Sequence, residues 1–159
     1  MIRSLVVAPN SDSSADTASE IVAEGSVILR RNLTKENLER CLAEGCNIWI
    51  DIVTPEAKEI HWLESLLQLS PHVVEDLLRE DHYPTLLVYP RYLFLSLFQP
   101  YVPSNGNGIV GREIHCIIGD HFYVTVRQAD ASAVEAAYDR VAQNPSSWPR
   151  GVIFFLYLT

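Results

Sequence analysis

Residues 47–53, NIWIDIV, are apolar at nearly every position, which predicts a buried β-strand. A strand with one face in water alternates apolar and polar residues. A strand that is apolar throughout is expected where helices cover both faces of a sheet. This segment therefore predicts a fold of three layers, with the sheet in the middle.

Helix signals flank this strand on both sides. Thr34 is a predicted N-cap, and Gly45 is the predicted end of the helix that follows it. After the strand, Thr54-Pro55 places a capping residue before a proline at the first helical position, and Ser70-Pro71 repeats this arrangement. Helices are thus expected just before the strand and twice after it.

The second half of the chain reads mainly as strands. Strand patterns occupy residues 85–89 and 91–98, and two more within residues 111–126 meet near Gly119-Asp120. A capping box of Ser132 and Glu135 predicts a last helix through Val141. This order predicts an α/β fold, a three-layer α/β/α sandwich with a mixed parallel and antiparallel sheet. We interpret residues 1–159 as a single domain in which residues 10–20 are a mobile loop.

Composition limits the possible partners. Twelve Lys and Arg face 20 Asp and Glu, giving a net charge of −8, so the chain lacks the basic surface that nucleic acids require. Cations are the expected partners. No apolar run is long enough to cross a bilayer and the N-terminus has no secretory signal, so a soluble, cytoplasmic chain is expected. Three cysteines without CxxC spacing, Cys41, Cys46 and Cys116, are expected to be buried and reduced.

No sequence motif predicts catalysis, and we expect the chain not to be an enzyme. Residues 106–111, GNGIVG, match the GxGxxG dinucleotide pattern, but a strand follows them where binding requires a helix. There is no GxSxG nucleophile motif. Asp51, Glu56 and Glu59 could supply an acid pair, although carboxylates at a helix start are expected from the helix dipole alone.

Two histidines near the predicted hairpin could suggest a metal site. If Gly119-Asp120 is a two-residue turn, His115 lies opposite Val124, and alternation places His115 and His121 on opposite faces of the sheet. They could not then share a metal ion.

The helix predicted at residues 71–79 has two distinct sides. Val73, Val74, Leu77 and Leu78 lie on one arc, and His72, Glu75, Asp76 and Arg79 lie on the opposite one. The apolar arc is expected to pack on the sheet. The charged arc would then face solvent or another subunit.

Four segments, taken together, resemble the cytoplasmic domain of CorA-type magnesium transporters. They are WIDIVTPEAKE at 49–59, SPHVVEDLLREDHYP at 70–84, YPRYLFLSLF at 89–98 and IHCIIGDHFYVTV at 114–126. Their order and spacing match the family's Trp-x-Asp strand, Pro-Glu helix start, Glu-Asp pair, Tyr-Leu-Phe strand and glycine-turn hairpin. The chain departs from the family at Tyr83-Pro84-Thr85, where Arg-Pro-Lys is favoured, and at Ser70-Pro71-His72, which replaces His-Pro.

The resemblance implies a function and a site. Family members are homopentamers whose cytoplasmic domains bind divalent cations between neighbouring subunits, and the acids used there align with Glu75 and Asp76. By this resemblance the chain is a cytoplasmic regulatory domain of a transporter at the inner membrane. It would bind Mg²⁺ weakly through these two residues, with Co²⁺, Ni²⁺ and Zn²⁺ left open as the transported ion.

The family's two transmembrane helices and its Gly-Met-Asn pore signature are absent from this sequence. Residues 148–159 are apolar and are expected to begin the helices that lead to the family's stalk. Two alternatives remain open at this stage. One is the same domain of a ZntB-like zinc transporter, and the other is a free-standing soluble α/β domain that binds a ligand or acts as an enzyme.

Overall fold

The computed structural model describes residues 1–8, 20–24, 27–79, 83–103, 106 and 108–159. The strands are β1 (Ile2–Val7), β2 (Glu20–Glu24), β3 (Val27–Arg31), β4 (Asn47–Val53), β5 (Thr85–Val88), β6 (Leu93–Tyr101), β7 (Val110–Ile118) and β8 (Phe122–Arg127). The helices are α1 (Lys35–Ala43), α2 (Ala57–Leu67), α3 (Pro71–Leu78), α4 (Ser132–Gln143) and α5 (Ile153–Leu158), with a 3-10 helix at Pro145–Arg150.

All eight strands belong to one sheet, in the order β2-β3-β1-β4-β8-β7-β6-β5. The sheet is mixed, as predicted, because β4 and β8 run parallel while the other neighbours run antiparallel. Parallel neighbours need a crossover connection, and here the crossover contains α2, α3 and β5 to β7. The strand order places β4 inside the sheet, with β1 on one side and β8 on the other.

Both faces of β4 are buried, which confirms the prediction of three layers. We call the sheet face that packs against α1, α2 and α3 the front face; its strand residues include Val6, Ile50, Phe94, Ile117 and Val124. The helices contribute Leu38, Ile60, Leu63, Val73, Val74 and Leu77 to the same cluster. Burial of this apolar surface is what holds α3 against the sheet.

The opposite face, which we call the back face, packs against α4, the 3-10 helix and α5. Trp49 lies at its centre and is fully buried, with ring centroids of Tyr123, Tyr138 and Phe155 at 5.1, 5.4 and 5.3 Å. Phe155 belongs to α5, so part of the apolar segment 148–159 packs on this domain. A longer helix leading onward from it stays a prediction.

The capping signals before β4 are confirmed, but those after it are shifted. Thr34 caps α1, since its side chain accepts a hydrogen bond from the Asn37 backbone N–H. The prediction that Thr54 caps α2 is wrong: the N-cap is Glu56, and the Thr54 backbone N–H donates to the Arg127 carbonyl at 2.8 Å. Thr54 therefore still pairs with the end of β8, which delays the helix.

The predicted capping box at the start of α4 is also wrong. Helix α4 does begin at Ser132, but its N-cap is Ala131, which has no capping side chain. Gln99 Oε1 on β6 instead accepts the Ala133 backbone N–H at 3.0 Å. Glu135 instead makes hydrogen bonds to Arg3 and Arg127. These arginines, on β1 and at the end of β8, have replaced the local hydrogen bond that the sequence pattern predicted.

The β7–β8 hairpin is confirmed, but its predicted register is wrong by two residues. Ile118 pairs with Tyr123, so His115 lies opposite Val126 and not opposite Val124. A shift of two residues preserves the face on which each side chain lies. His115 is buried on the front face and stacks on Phe94, whereas His121 precedes β8 and is exposed, so the two remain apart.

Strand β1 is an interior strand that the sequence interpretation missed. It pairs with β3 and β4, and Leu5, Val6 and Val7 are buried. The predicted loop at residues 10–20 lies outside the described residues except for Glu20, which begins β2. Among the helices of the described ranges, none has the length and apolar character needed to cross a membrane.

Candidate metal centre

Helix α3 begins where the sequence predicts. The Ser70 side chain caps it by accepting the His72 backbone N–H at 3.3 Å, and Pro71 occupies its first turn. The helix ends at Leu78, one residue earlier than predicted. Leu78 was expected on the buried arc, but it is 46% exposed, because it lies about 100° round the helix from Leu77.

The predicted acid pair lies on the accessible side of α3. Glu75 is exposed and Asp76 is partly exposed, so neither is turned into the core. Glu75 Oε1 lies 2.9 Å from Arg79 Nη1, and both side chains are more than half exposed. An ion pair of this kind contributes about 0–1 kcal/mol. It is weak enough for a divalent ion to compete with Arg79 for the carboxylate.

A cleft of about 200 Å³ lies beside the C-terminal end of α3. Its charged lining includes Arg79, Arg112 and Glu113, whereas the guanidinium of Arg127, which also borders the cleft, is already paired with Asp51 and Glu135. The excess of positive charge disfavours a divalent cation there. The accessible side of α3 is therefore the better candidate for a cation site than the neighbouring cleft.

Asp51, the one charged residue of β4, lies on the back face and is completely buried. Its Oδ1 accepts hydrogen bonds from Thr125 Oγ1 at 2.7 Å and from Arg127 Nε at 3.1 Å. Its Oδ2 accepts from Arg127 Nη2 at 3.0 Å and from Arg3. This single carboxylate thus joins β4 to both of its neighbouring strands.

Glu135 on α4 binds the same two arginines that bind Asp51. Its Oε1 accepts from Arg3 Nη1 at 2.7 Å, and its Oε2 accepts from Arg127 Nη2 at 2.6 Å. We call Arg3, Asp51, Arg127 and Glu135 the buried ionic cluster. Two guanidinium groups and two carboxylates cancel in formal charge. The cluster therefore ties α4 to the sheet without leaving an unpaired charge inside the protein.

The electrostatics of the buried ionic cluster favour the charged forms. Burial lowers the pKa of Arg3, but its hydrogen bonds to Glu135 and Asp51 outweigh burial and raise that pKa overall. The hydrogen bond from Arg3 holds the pKa of Glu135 below its usual range. Because arginines already occupy both carboxylates, we assign the cluster a structural role. The acid pair considered among Asp51, Glu56 and Glu59 is not formed. Glu59 binds the N-terminal ammonium and the Glu56 backbone N–H, and the exposed Glu56 side chain pairs with Lys58.

The structure places two cysteines and a glutamate close together, a cluster that the sequence interpretation did not predict. Cys41, Glu44 and Cys46 place their possible metal-ligating atoms within 4.8 Å of one another. Burial and the adjacent Cys41 raise the pKa of Cys46 to about 12. Cys116 lies on the back face, so it is separate from this pair. All three cysteines are buried and free, as predicted, and the C-x₄-C spacing was the signal for the pair.

A scan against protein-family profiles identifies the class of protein to which this fold belongs. Residues 44–158 match the family described as CorA-like Mg²⁺ transporter protein, and this match covers well over half of the chain. The chain belongs to that family. A sequence search of curated proteins found no match.

Solved structures agree with this assignment at the level of fold. The complete structure of the CorA magnesium transporter from Methanocaldococcus jannaschii aligns with 98% of this chain and 42% of its own, at 14% identity and a TM-score of 0.59. The soluble domain of CorA from the same organism aligns with 70% of this chain and 44% of its own, at 20% identity and a TM-score of 0.53. The chain therefore spans less than half the length of these relatives, and identities this low establish the fold alone.

A third structure is a ZntB cytoplasmic domain from Vibrio parahaemolyticus RIMD 2210633. It aligns with 64% of this chain and 40% of its own, at 16% identity and a TM-score of 0.46. This likeness is too weak to support an inference about zinc.

Proposed function

We propose that this chain is the cytoplasmic regulatory domain of a divalent-cation transporter, and that Glu75 and Asp76 bind the Mg²⁺ that regulates it. The observation that carries the proposal is the accessible position of these two neighbouring acids on α3, in a chain of the CorA family. The buried residues of α3 hold the helix on the front face. Its acidic side is thereby presented to a neighbouring copy of the domain.

The chemistry of the acid pair suits Mg²⁺. This ion is hard, prefers oxygen ligands and retains several of its waters, so two carboxylates on a surface can hold it through few direct bonds. Acids from two subunits repel one another unless a cation neutralises them. Such a site is expected to bind with a millimolar dissociation constant, worth about 4 kcal/mol. It then fills only when cellular Mg²⁺ is plentiful.

Occupancy is coupled to transport through assembly. The domains act within a homo-oligomer, a pentamer in the complete protein, and the bound ion favours the arrangement in which subunits are clamped together and the pore is closed. Loss of the ion restores repulsion between the acids and loosens the assembly. The ion shifts this equilibrium only as far as it binds the clamped arrangement more tightly.

Flux measurements on the complete transporter test the proposal. Cation influx is measured while internal Mg²⁺ is raised through the millimolar range, in the wild type and in the double variant Glu75→Gln/Asp76→Asn. The wild type is expected to be inhibited, and the double variant is expected to retain at least about tenfold more influx at high Mg²⁺, because the regulating ion no longer binds. Asp120→Asn, an exposed acid in the β7–β8 turn, is the matched control. Unchanged inhibition in the double variant would refute the role of the acid pair.

A further inference from the structure

The turn after α1 brings two cysteines together. Helix α1 ends at Ala43, Glu44 is its C-cap, and Gly45 has a positive φ of 75° that reverses the chain. The Cys46 backbone N–H then donates to the Cys41 carbonyl at 2.9 Å. The short loop therefore fixes Cys46 beside Cys41, with the Glu44 carboxylate between them in sequence.

The three side chains have the composition and spacing of a metal site. Cys41 and Cys46 are each 3% exposed, whereas Glu44 is exposed and gives access from solvent. Zn²⁺ binds thiolates at about 2.3 Å in tetrahedral geometry, which places two sulfurs roughly 3.8 Å apart. The ligand atoms here lie within 4.8 Å of one another, so rotations of the side chains suffice to close the site.

We propose that this turn binds one thiophilic cation of the Zn²⁺ class through the Sγ atoms of Cys41 and Cys46 and a carboxylate oxygen of Glu44. A water molecule completes the tetrahedron. Binding converts two thiols to thiolates and releases their two protons to solvent. The site lies at the C-terminal end of α1, and its net charge is unchanged by binding because two protons leave as one dication enters.

This site differs in chemistry from the acid pair on α3. Thiolates select soft ions, whereas carboxylates on a surface suit Mg²⁺. The positive charge of Arg30 is felt at Cys46 and opposes the binding of a cation. The two thiolates and the Glu44 carboxylate together carry three negative charges, which exceed the single positive charge of the guanidinium. The alternative is that the cysteines only pack, since both belong to the front-face core. The two readings differ in what happens when a soft metal ion is added.

Cd²⁺ titration of the whole chain distinguishes them, because Cd²⁺–thiolate bonds have an ultraviolet charge-transfer band. One Cd²⁺ per chain is expected to produce this band, and Zn²⁺ is expected to remove it by competition. Cys41→Ser and Cys46→Ser are each expected to abolish the band. Glu44→Gln, at an exposed position that leaves the core intact, is expected to weaken binding at least about tenfold.

Two matched controls accompany these variants. Glu36→Gln changes an exposed acid at the other end of α1, and Cys116→Ser changes a buried cysteine on the back face; both are expected to leave the band unchanged. Absence of the band in the wild type would overturn the proposal, as would a band that persists in Cys41→Ser and Cys46→Ser. An affinity unchanged by Glu44→Gln would contradict the three-ligand site, even if the cysteine variants fail to fold.

Discussion

Asp51 shows how a single buried charge is stabilised. Its side chain is fully buried, and Arg3 and Arg127 neutralise it directly. Removing one partner of a buried ion pair is costly because the other charge is left buried without compensation. The Arg127 side chain is also completely buried, so it has no access to water in place of Asp51.

Asp51→Asn is therefore expected to lower the free energy of unfolding by about 3–5 kcal/mol. The measurement is urea denaturation followed by circular dichroism, with the wild type and variant compared at neutral pH. Asp139→Asn, an exposed position on α4, is the control and is expected to change stability by less than about 0.5 kcal/mol. Equal stability of Asp51→Asn and the wild type would mean that the charge of Asp51 does not stabilise the contacts of β4 with β1 and β8.

The partners of Asp51 were beyond sequence analysis. A lone acid in NIWIDIV signals an unusual site, but Arg3 and Arg127 are 48 and 76 positions away. Nothing local specifies that these side chains will meet. By contrast, Glu75 and Asp76 could be assigned to an accessible surface because their neighbours at helical spacing fix the buried side of α3.

At the scale of elements, α3 depends on a few buried side chains. Leu77 is 5% exposed and packs in the front-face core, whereas its neighbour Leu78 is 46% exposed. The two leucines have the same chemistry and differ only in the direction in which the helix points them. They form a matched pair for testing how α3 is held.

Leu77→Ala is expected to lower the free energy of unfolding by about 2–5 kcal/mol, because it removes buried methyl groups and leaves a cavity. Leu78→Ala is expected to lower the free energy of unfolding by less than about 1 kcal/mol, since nearly half of the Leu78 surface is already exposed to solvent. Thermal and urea denaturation of both variants provide the measurement. Similar losses for the two variants would show that the assigned buried side of α3 is wrong.

Elements with strong local signals were predictable, and elements defined by pairing were not. The apolar run of β4 and the caps of α1 and α3 identified those elements from a few residues each. Strand β1 has the same length as β8, but its place between β3 and β4 depends on pairing with those two strands, which no local pattern in residues 2–7 specifies. The start of α2 shifted because the backbone of Thr54 remains bonded to the end of β8.

At the scale of the molecule, the fold provides the support for the accessible side of α3, where the proposed cation site lies. A mixed sheet covered on both faces provides a rigid support, and the front-face core fixes α3 upon it. The net charge of −8 makes the approach of several copies unfavourable unless cations are present. The proposed regulation therefore requires a divalent ion to bind this chain at Glu75 and Asp76.

Paramagnetic Mn²⁺ tests this contact most directly, because it replaces Mg²⁺ at oxygen-ligand sites and broadens NMR signals near the bound ion even when binding is weak. In a ¹⁵N-labelled chain, the amide signals around Glu75 and Asp76 are expected to broaden first, and millimolar Mg²⁺ is expected to restore them. Glu75→Gln/Asp76→Asn is expected to remove this broadening. Broadening elsewhere in the chain, with the signals of α3 unaffected, would contradict the assignment.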